Sequence, residues 1–207
     1  MVNKQINKFY DQRFLINKKE HTKFSKKEYL RGMFFNSLIK KHKKVLVLGP
    51  DRGQVLKYYY KDKDITCADI SKKVLAEVKR FSNKLCCFDF EDKFPFKDNF
   101  YDVVVAGDVI EHMFNPEILI KESRRVLKEN GLFIGSTPNA FNWRVRIATL
   151  LNIQKIKWDN EHIRFFNNNI LNELLVKYFK KVKILSLKKS IPFKSLFAYN
   201  FVWICRK

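Results

Sequence analysis

The stretch Val45-Leu46-Val47-Leu48-Gly49-Pro50-Asp51-Arg52-Gly53 decides the fold. Four consecutive apolar residues read as a short strand buried on both faces, and the glycines after it permit a tight turn into a following helical segment. The same pattern recurs at Ile65–Ala68, Leu85–Phe88, Tyr101–Ala106 and Leu132–Ser136. Strands alternating with helices in this rhythm predict parallel pairing through βαβ units. Before the last of these runs, Pro116 opens a helix through Ile118, Leu119, Glu122, Val126 and Leu127, which Asn130-Gly131 stops. Beyond Gly135 the order changes. Helices are predicted near Trp143–Leu151 and Ile170–Phe179, then strands at Val182–Leu187 and Tyr199–Cys205 that could pair antiparallel across the loop holding Pro192. Upstream, residues 1–43 read as one or two helices, with Ser25 as an N-cap and Tyr29, Met33, Phe34 and Leu38 at helical spacing.

The chain has 207 residues, of which 46% are hydrophobic, enough for a core and enough to exclude global disorder. One domain of ordinary size accounts for that length. No run approaches the roughly 20 apolar residues of a membrane span, and Met1 to Lys19 interleaves charges with apolar residues, unlike a signal peptide. A soluble, cytoplasmic protein is expected. Cys67, Cys86, Cys87 and Cys205 show no C-x-x-C spacing, and the neighbours Cys86 and Cys87 would point to opposite faces of a strand. Buried, reduced thiols are expected, with neither zinc site nor disulfide framework.

Lys and Arg number 42 against 21 Asp and Glu, a formal charge of +21. Clustered basic residues gain affinity for phosphates by releasing counterions. Here the lysines are spread along the whole chain, as in Lys18-Lys19, Lys72-Lys73 and Lys188-Lys189, which also suits a solvated surface. Attraction to a nucleic acid or an anionic membrane surface stands beside that reading.

In an open parallel sheet, ligands bind beyond the carboxyl ends of the strands. Gly49 and Gly53 follow the first strand there, before a helix N-terminus that favours negative charge. Asp69 ends the second strand, about 20 residues on, where a carboxylate commonly accepts hydrogen bonds from ribose hydroxyls; helix capping is its plainer alternative. The third strand ends in Phe88-Asp89-Phe90, an acceptor between rings suited to an adenine, and the fourth in Gly107-Asp108. Acids on three successive strand ends make a poor pocket for phosphates, so a cationic adenosine derivative fits better than a nucleotide polyphosphate.

From Val45 to about Phe179 the chain resembles the class I S-adenosylmethionine-dependent methyltransferases. The strongest portions are residues 94–113, FPFKDNFYDVVVAGDVIEHM, and 124–139, RRVLKENGLFIGSTPN, similar to the subgroup of ubiquinone-biosynthesis and sugar O-methyltransferases. The resemblance implies a Rossmann-like, doubly wound α/β fold. Its seven-stranded, mostly parallel sheet would end in a reversed C-terminal hairpin. One domain would span residues 1–207, with an N-terminal helical lid or extension over 1–43 and a Rossmann-like core over 44–207. It also implies S-adenosyl-L-methionine as cofactor and S-adenosyl-L-homocysteine as product. Carried over by position, Gly49, Asp51 and Gly53 would line the methionine and ribose, Asp69 and Ile70 the ribose, Asp89 and Phe90 the adenine, with Gly107 beside them. Two departures stand out: Val47 occupies a position usually acidic in the family, and Asp51 one usually glycine. Asp51 would partly replace the lost carboxylate, or cofactor affinity would fall.

Methyl transfer from a sulfonium is an in-line displacement, so the protein must align the groups and, for a hydroxyl acceptor, remove a proton. Asp108 and His112, four apart, would share a face if helical, the imidazole taking the proton while the carboxylate orients it. The alternative is that Glu111-His112 braces this turn. His162, Arg164 and Trp143, with Trp158, are candidates for the acceptor pocket; loop anchoring for Arg164 and packing for the tryptophans stand against that. Some quinone-pathway relatives hold a divalent metal near this point, but Gly107 stands where they tend to carry an acid, and no metal ligands are assigned. The expected activity is O-methylation of a small hydroxylated acceptor, a sugar or quinone-like phenol. A nucleic-acid methyltransferase and a non-catalytic cofactor-binding module are the alternatives. No Asn-Pro-Pro-aromatic motif or Pro-Cys nucleophile supports methylation of bases.

Overall fold

The computed structural model describes residues 11–12, 26–42, 44–58, 61, 63–82, 84–152, 162–187 and 194–207. Helix α1 spans Lys26–Ile39, followed by strands β1 (Lys44–Leu48) and β2 (Asp64–Asp69), helix α2 (Lys72–Val78), strand β3 (Lys84–Cys87) and strand β4 (Tyr101–Gly107). Helix α3 (Pro116–Val126), strand β5 (Leu127–Pro138), helices α4 (Trp143–Leu150) and α5 (Asn168–Val176), strand β6 (Lys181–Ser186), a short helix α6 (Lys194–Phe197) and strand β7 (Asn200–Arg206) complete the order. The expected Ser25 cap, any helix in residues 13–25, Trp158 and Pro192 lie outside the described residues.

All seven strands form one sheet in the order β3-β2-β1-β4-β5-β7-β6. The first five pair parallel, and β7 inserts antiparallel between β5 and β6, as the two C-terminal strands suggested. Strand order reverses next to β1, between β1 and β4, and this is where a doubly wound sheet opens a crevice. The sheet is sandwiched by two apolar clusters. One holds Leu46, Leu48, Val104, Phe133 and Trp203; the other holds Phe35, Val45, Val47, Val103 and Val105, so alternate residues of each central strand feed opposite faces. Cys86 packs on the first cluster and Cys87 on the second, the opposed orientation expected of neighbours in a strand. Both are only half-buried, whereas Cys67 and Cys205 are buried, and burial pushes the Cys67 thiol up to about 12.

Two local expectations are corrected. Helix α3 stops at Val126, and Leu127 pairs with Tyr101 as the start of β5. The Asn130-Gly131 turn therefore lies inside a strand: Asn130 takes φ +62, its N–H donates to Lys207 O, and a register shift follows between Tyr101 and Val103. The chain from Asp108 to His112 is not an α-helix. Asp108 takes φ +56, and only Ile110–His112 winds, as a 3-10 turn.

Candidate active site

Main-chain pairing aligns the strand ends. Gly49 N–H donates to Ala68 O at 3.0 Å and Phe88 N–H to Asp69 O at 3.3 Å, which brings the turn after β1, the end of β2 and the end of β3 side by side. Gly49 has φ +61 and a Cβ there would lie 2.7 Å from Val109; Gly53 has φ +70 and a Cβ would lie 2.4 Å from the Phe81 ring. Both positions require glycine on backbone and on space alone. Asp51 adopts φ +47 in the same turn, a conformation Asp tolerates.

Asp69 Oδ1 accepts from Ser71 N–H at 2.8 Å, and Ser71 caps α2 by accepting from Val74 N–H at 3.3 Å. Ser71, not Asp69, therefore caps α2, while the Ser71 N–H engages one carboxylate oxygen of Asp69. Cys87 Sγ donates to Ile70 O at 3.4 Å, holding the turn after β2 to β3. Asp89 Oδ1 accepts from Glu91 N–H at 3.0 Å. The rings flanking Asp89 do not clasp a space between them: Phe88 is buried against Phe90, Phe94 and Phe96 at 5.1 to 5.6 Å, and Phe90 packs on the edge of that cluster. Upstream, Asp11 reaches the same corner, its Oδ1 accepting from Ser71 Oγ at 2.5 Å and from Lys73 N–H at 3.2 Å.

The crevice between the ends of β1 and β4 is lined by Gly49, Asp51 and Gly107 and also by Arg31 and Phe35 of α1. A Cβ on Gly107 would sit 3.4 Å from Phe35 and 3.8 Å from Arg31, so α1 lies directly over it. The crevice is partly open and holds about 40 Å³ of water-accessible space, room for one or two waters. Arg31 was not singled out from sequence: its Nη1 lies 2.6 Å from Asp108 Oδ2, while Ser136 Oγ donates to Asp108 Oδ1 at 2.7 Å. The left-handed backbone of Asp108, fixed by its N–H to Ser136 O at 2.8 Å, aims the carboxylate at these partners.

His112 instead meets His162. Their ring centroids lie 4.9 Å apart, edge to face, and His162 Nε2 lies 4.0 Å from Glu111 Oε1. Glu111 is 1% exposed; its Oε2 accepts from Thr137 Oγ1 at 3.0 Å, and its carbonyl accepts from Ile163 and Arg164 N–H, both at 3.0 Å. The turn after β4 is thus braced to the 162–166 segment by Glu111. Glu111, His112 and His162 bring one potential ligand atom each within 4.8 Å of one another, a wider spread than the roughly 3.3 Å between ligands about a tetrahedral zinc. Arg164 donates to Phe114 O from an exposed position, and Trp143, at the start of α4, is 37% exposed, with Arg144 5.5 Å over its ring.

A family described as "Methyltransferase domain" matches residues 46–135. Among curated proteins, a sarcosine/dimethylglycine N-methyltransferase of Aphanothece halophytica is 32% identical over 105 residues, 46% of this chain and 38% of that protein. A probable S-adenosylmethionine-dependent methyltransferase of Mycolicibacterium smegmatis is 37% identical over 81 residues, 39% of this chain and 29% of that protein. The match thus spans less than two-fifths of the length of these relatives. A crystal structure of a SAM-dependent methyltransferase from Archaeoglobus fulgidus superposes with a TM-score of 0.70 at 17% identity, covering 95% of this chain and 100% of that one, a likeness of fold.

Proposed function

We propose, for a chain whose residues 46–135 are a methyltransferase domain on the class I methyltransferase sheet, that it is a cytoplasmic S-adenosylmethionine-dependent O-methyltransferase of a small hydroxylated acceptor. The observation that carries this is the placement of Gly49, Asp69, Asp89 and Gly107 along one edge of the sheet, beside the switch in strand order, with Arg31 lining the crevice at Gly49 and Gly107.

The donor set suits the cofactor. Asp69 would accept from ribose hydroxyls with Ile70 beside it, Asp89 from the adenine amino group with Phe90 near the base, and Arg31 would meet the amino-acid carboxylate. Gly49, Asp51, Gly53 and Gly107 supply close backbone approach. The methionine arm would pass between α1 and the Gly49 turn, where Arg31 now bonds Asp108. S-adenosylmethionine supplies a methyl group on a positively charged sulfur. His112 would take the acceptor's hydroxyl proton on a ring nitrogen as that oxygen receives the methyl group the cofactor would supply. Asp108 is held by Arg31 and Ser136 at the end of β4, where it would border the methyl group's side of the site. His162 packs on the His112 ring and Glu111 fixes the segment that carries it, with Arg164 and Trp143 at the acceptor's side.

A second reading, methylation of a small amine, is favoured by the likeness to a sarcosine/dimethylglycine N-methyltransferase. The deciding experiment pairs calorimetric titration of S-adenosylhomocysteine with an acceptor screen using labelled methyl donor on glycan, quinone, amine and RNA fractions. A methyl group found on oxygen supports the proposal. A methyl group on nitrogen or on RNA replaces it, and absence of cofactor binding ends both enzyme readings.

A further inference from the structure

A second hollow adjoins the turn that carries Gly49 and Gly53. It is partly open and holds about 310 Å³ of water-accessible space, against about 40 Å³ in the crevice under α1. That volume reaches the lower end of the range for small-molecule sites, roughly 300 Å³. Arg52 enters it from the turn, Lys57 from the 3-10 turn Leu56–Tyr58 and Arg80 from just beyond α2, with Glu77 the one acid of the lining. Phe81 supplies an apolar wall, set so close to Gly53 that a Cβ there would lie 2.4 Å from the ring.

A lysine-rich surface does not by itself produce this arrangement. Arginine is scarce in the chain, 10 residues against 32 lysines, and two of the ten meet in this one hollow. The three cations come from three separate segments, and like charges gathered around a concavity repel unless an anion answers them. Aromatic rings and backbone bonds hold them there. The Arg80 guanidinium carbon lies 4.8 Å from the Phe81 ring centroid and Lys57 Nζ 5.3 Å from that of Tyr58. Lys57 N–H donates to Gly53 O at 3.3 Å, and Phe81 N–H to Val78 O at 2.9 Å. The apolar wall lowers the local dielectric and focuses the field of the cations into the hollow.

The charge selects the ligand. Three cations against one acid leave +2, which answers a phosphate carrying about −1.5 to −2 near neutrality and exceeds the single charge of a phosphodiester. Two guanidinium forks and one ammonium suit the oxygens of a tetrahedral anion. We propose that the hollow between the Gly53 turn and the end of α2 binds a doubly charged phosphate group, and that its occupancy is felt at the cofactor. Gln54 lines both the hollow and the crevice. Gly49, Asp51 and Gly53 all take positive φ in the turn that joins them. An anion bridging Arg52 and Arg80 ties this turn to α2, so phosphate tightens cofactor binding and the cofactor tightens phosphate binding by the same factor. The phosphate site stands apart from the chemistry; only its coupling rests on the methyl-transfer reading.

The test is titration calorimetry on the full chain with inorganic phosphate, glucose 6-phosphate, dimethyl phosphate and glucose. The two dianions should bind, dimethyl phosphate at least about tenfold more weakly, and glucose not at all. Tighter binding of glucose 6-phosphate than of inorganic phosphate assigns the group to a small phosphorylated molecule, and the reverse order to the free ion. K57Q/R80Q should weaken the dianions about tenfold or more. K181Q/K183Q removes the same charge from β6, at the sheet edge opposite β3, and should stay within about twofold. Both variants should keep the wild-type melting temperature, which separates a lost site from a lost fold. Failure of the dianions to bind overturns the proposal. So does equal weakening in the two double variants, which marks diffuse charge, or dimethyl phosphate binding as tightly as the dianions. Random-sequence RNA that displaces glucose 6-phosphate and itself weakens with K57Q/R80Q would assign the hollow to a nucleic-acid backbone and overturn it too. Saturating glucose 6-phosphate should tighten S-adenosylhomocysteine about fivefold or more, and an unchanged affinity overturns the coupling. Absence of S-adenosylhomocysteine binding with normal phosphate binding would instead sink the methyl-transfer reading and leave the phosphate site standing.

Discussion

Arg31→Met isolates the role of α1 in the crevice. The substitution keeps most of the stem and removes a guanidinium whose side chain is 11% exposed and lies 2.6 Å from Asp108. Asp108, 23% exposed, then retains the Ser136 hydroxyl, so the uncompensated charge is partly solvated and the loss of stability should be about 1–3 kcal/mol, below that of a fully buried pair. Cofactor binding gives the sharper readout. If Arg31 turns to the amino-acid carboxylate, losing that charge-assisted bond costs about 1.5–3 kcal/mol, a factor of about 10 to 150 in Kd for S-adenosylhomocysteine. The analogue 5′-methylthioadenosine has no carboxylate to lose. Its affinity should stay within about twofold or rise, because the side chain closing the crevice is smaller. Titration calorimetry of both ligands, with thermal unfolding in parallel, measures the difference of differences. An equal fall for both ligands would refute the reasoning and leave Arg31 a brace for Asp108; no change for either would mean that α1 does not meet the cofactor.

Asp69→Ala should weaken both ligands alike by about 10 to 150-fold, since both carry the ribose, and unchanged affinity would leave Asp69 as a brace of the Ser71 turn. His112→Ala should lower kcat by about 100-fold or more while the Kd for S-adenosylhomocysteine stays within twofold; unchanged turnover would make His112 a partner of His162 and nothing more. Burial pushes the Glu122 carboxyl up, but Arg125 and the Phe94 N–H outweigh it and hold the group below the ordinary range. Its stabilisation is therefore full above the ordinary carboxylate value and lost as pH falls through the lower folded value. Glu122→Gln should cost about 2–4 kcal/mol near neutrality, and denaturant titrations should show the gap to wild type closing below about pH 4.3. Gly135→Ala would place a Cβ 2.1 Å from the Trp203 ring and 2.3 Å from Ala106 O, so a loss of about 3 kcal/mol or more is expected, read from the melting temperature.

The sheet was legible because its signal is local. Each buried parallel strand announces itself as an apolar run, and each run fixes where its carboxyl end must fall, so Gly49, Asp69, Asp89 and Gly107 could be placed on one edge without coordinates. What escaped was side-chain direction and long-range contact. Helical spacing put Asp108 and His112 on one face, but a single left-handed residue turned the carboxylate toward Arg31 and Ser136, 77 residues upstream and 28 downstream. No pattern within the strand predicts such a partner. His162 was legible as a candidate from its family-like segment, yet its pairing with Glu111 and His112 depends on how that segment returns over β4. The closing of Phe88 on Phe90, Phe94 and Phe96 escaped for a related reason: alternation says which ring points inward, not that four rings meet.

The departure at Val47 also has a physical reason once α1 is in place. Val47 is 4% exposed and joins Phe35 and Val105 in one apolar cluster, and all three line the crevice. A carboxylate at that position would face the Phe35 ring in a nearly dry space, unpaired, at a cost of several kcal/mol. The apolar side chain lets α1 seat, and the acid that answers Arg31 is supplied one strand over by Asp108. If the methionine arm passes beneath α1, affinity for the cofactor will depend on how readily α1 lifts as well as on the contacts made after it has lifted. A chain with Val47 and Arg31 together should bind in two steps, opening then capture, with an observed rate that levels off as cofactor concentration rises if opening is the slow step.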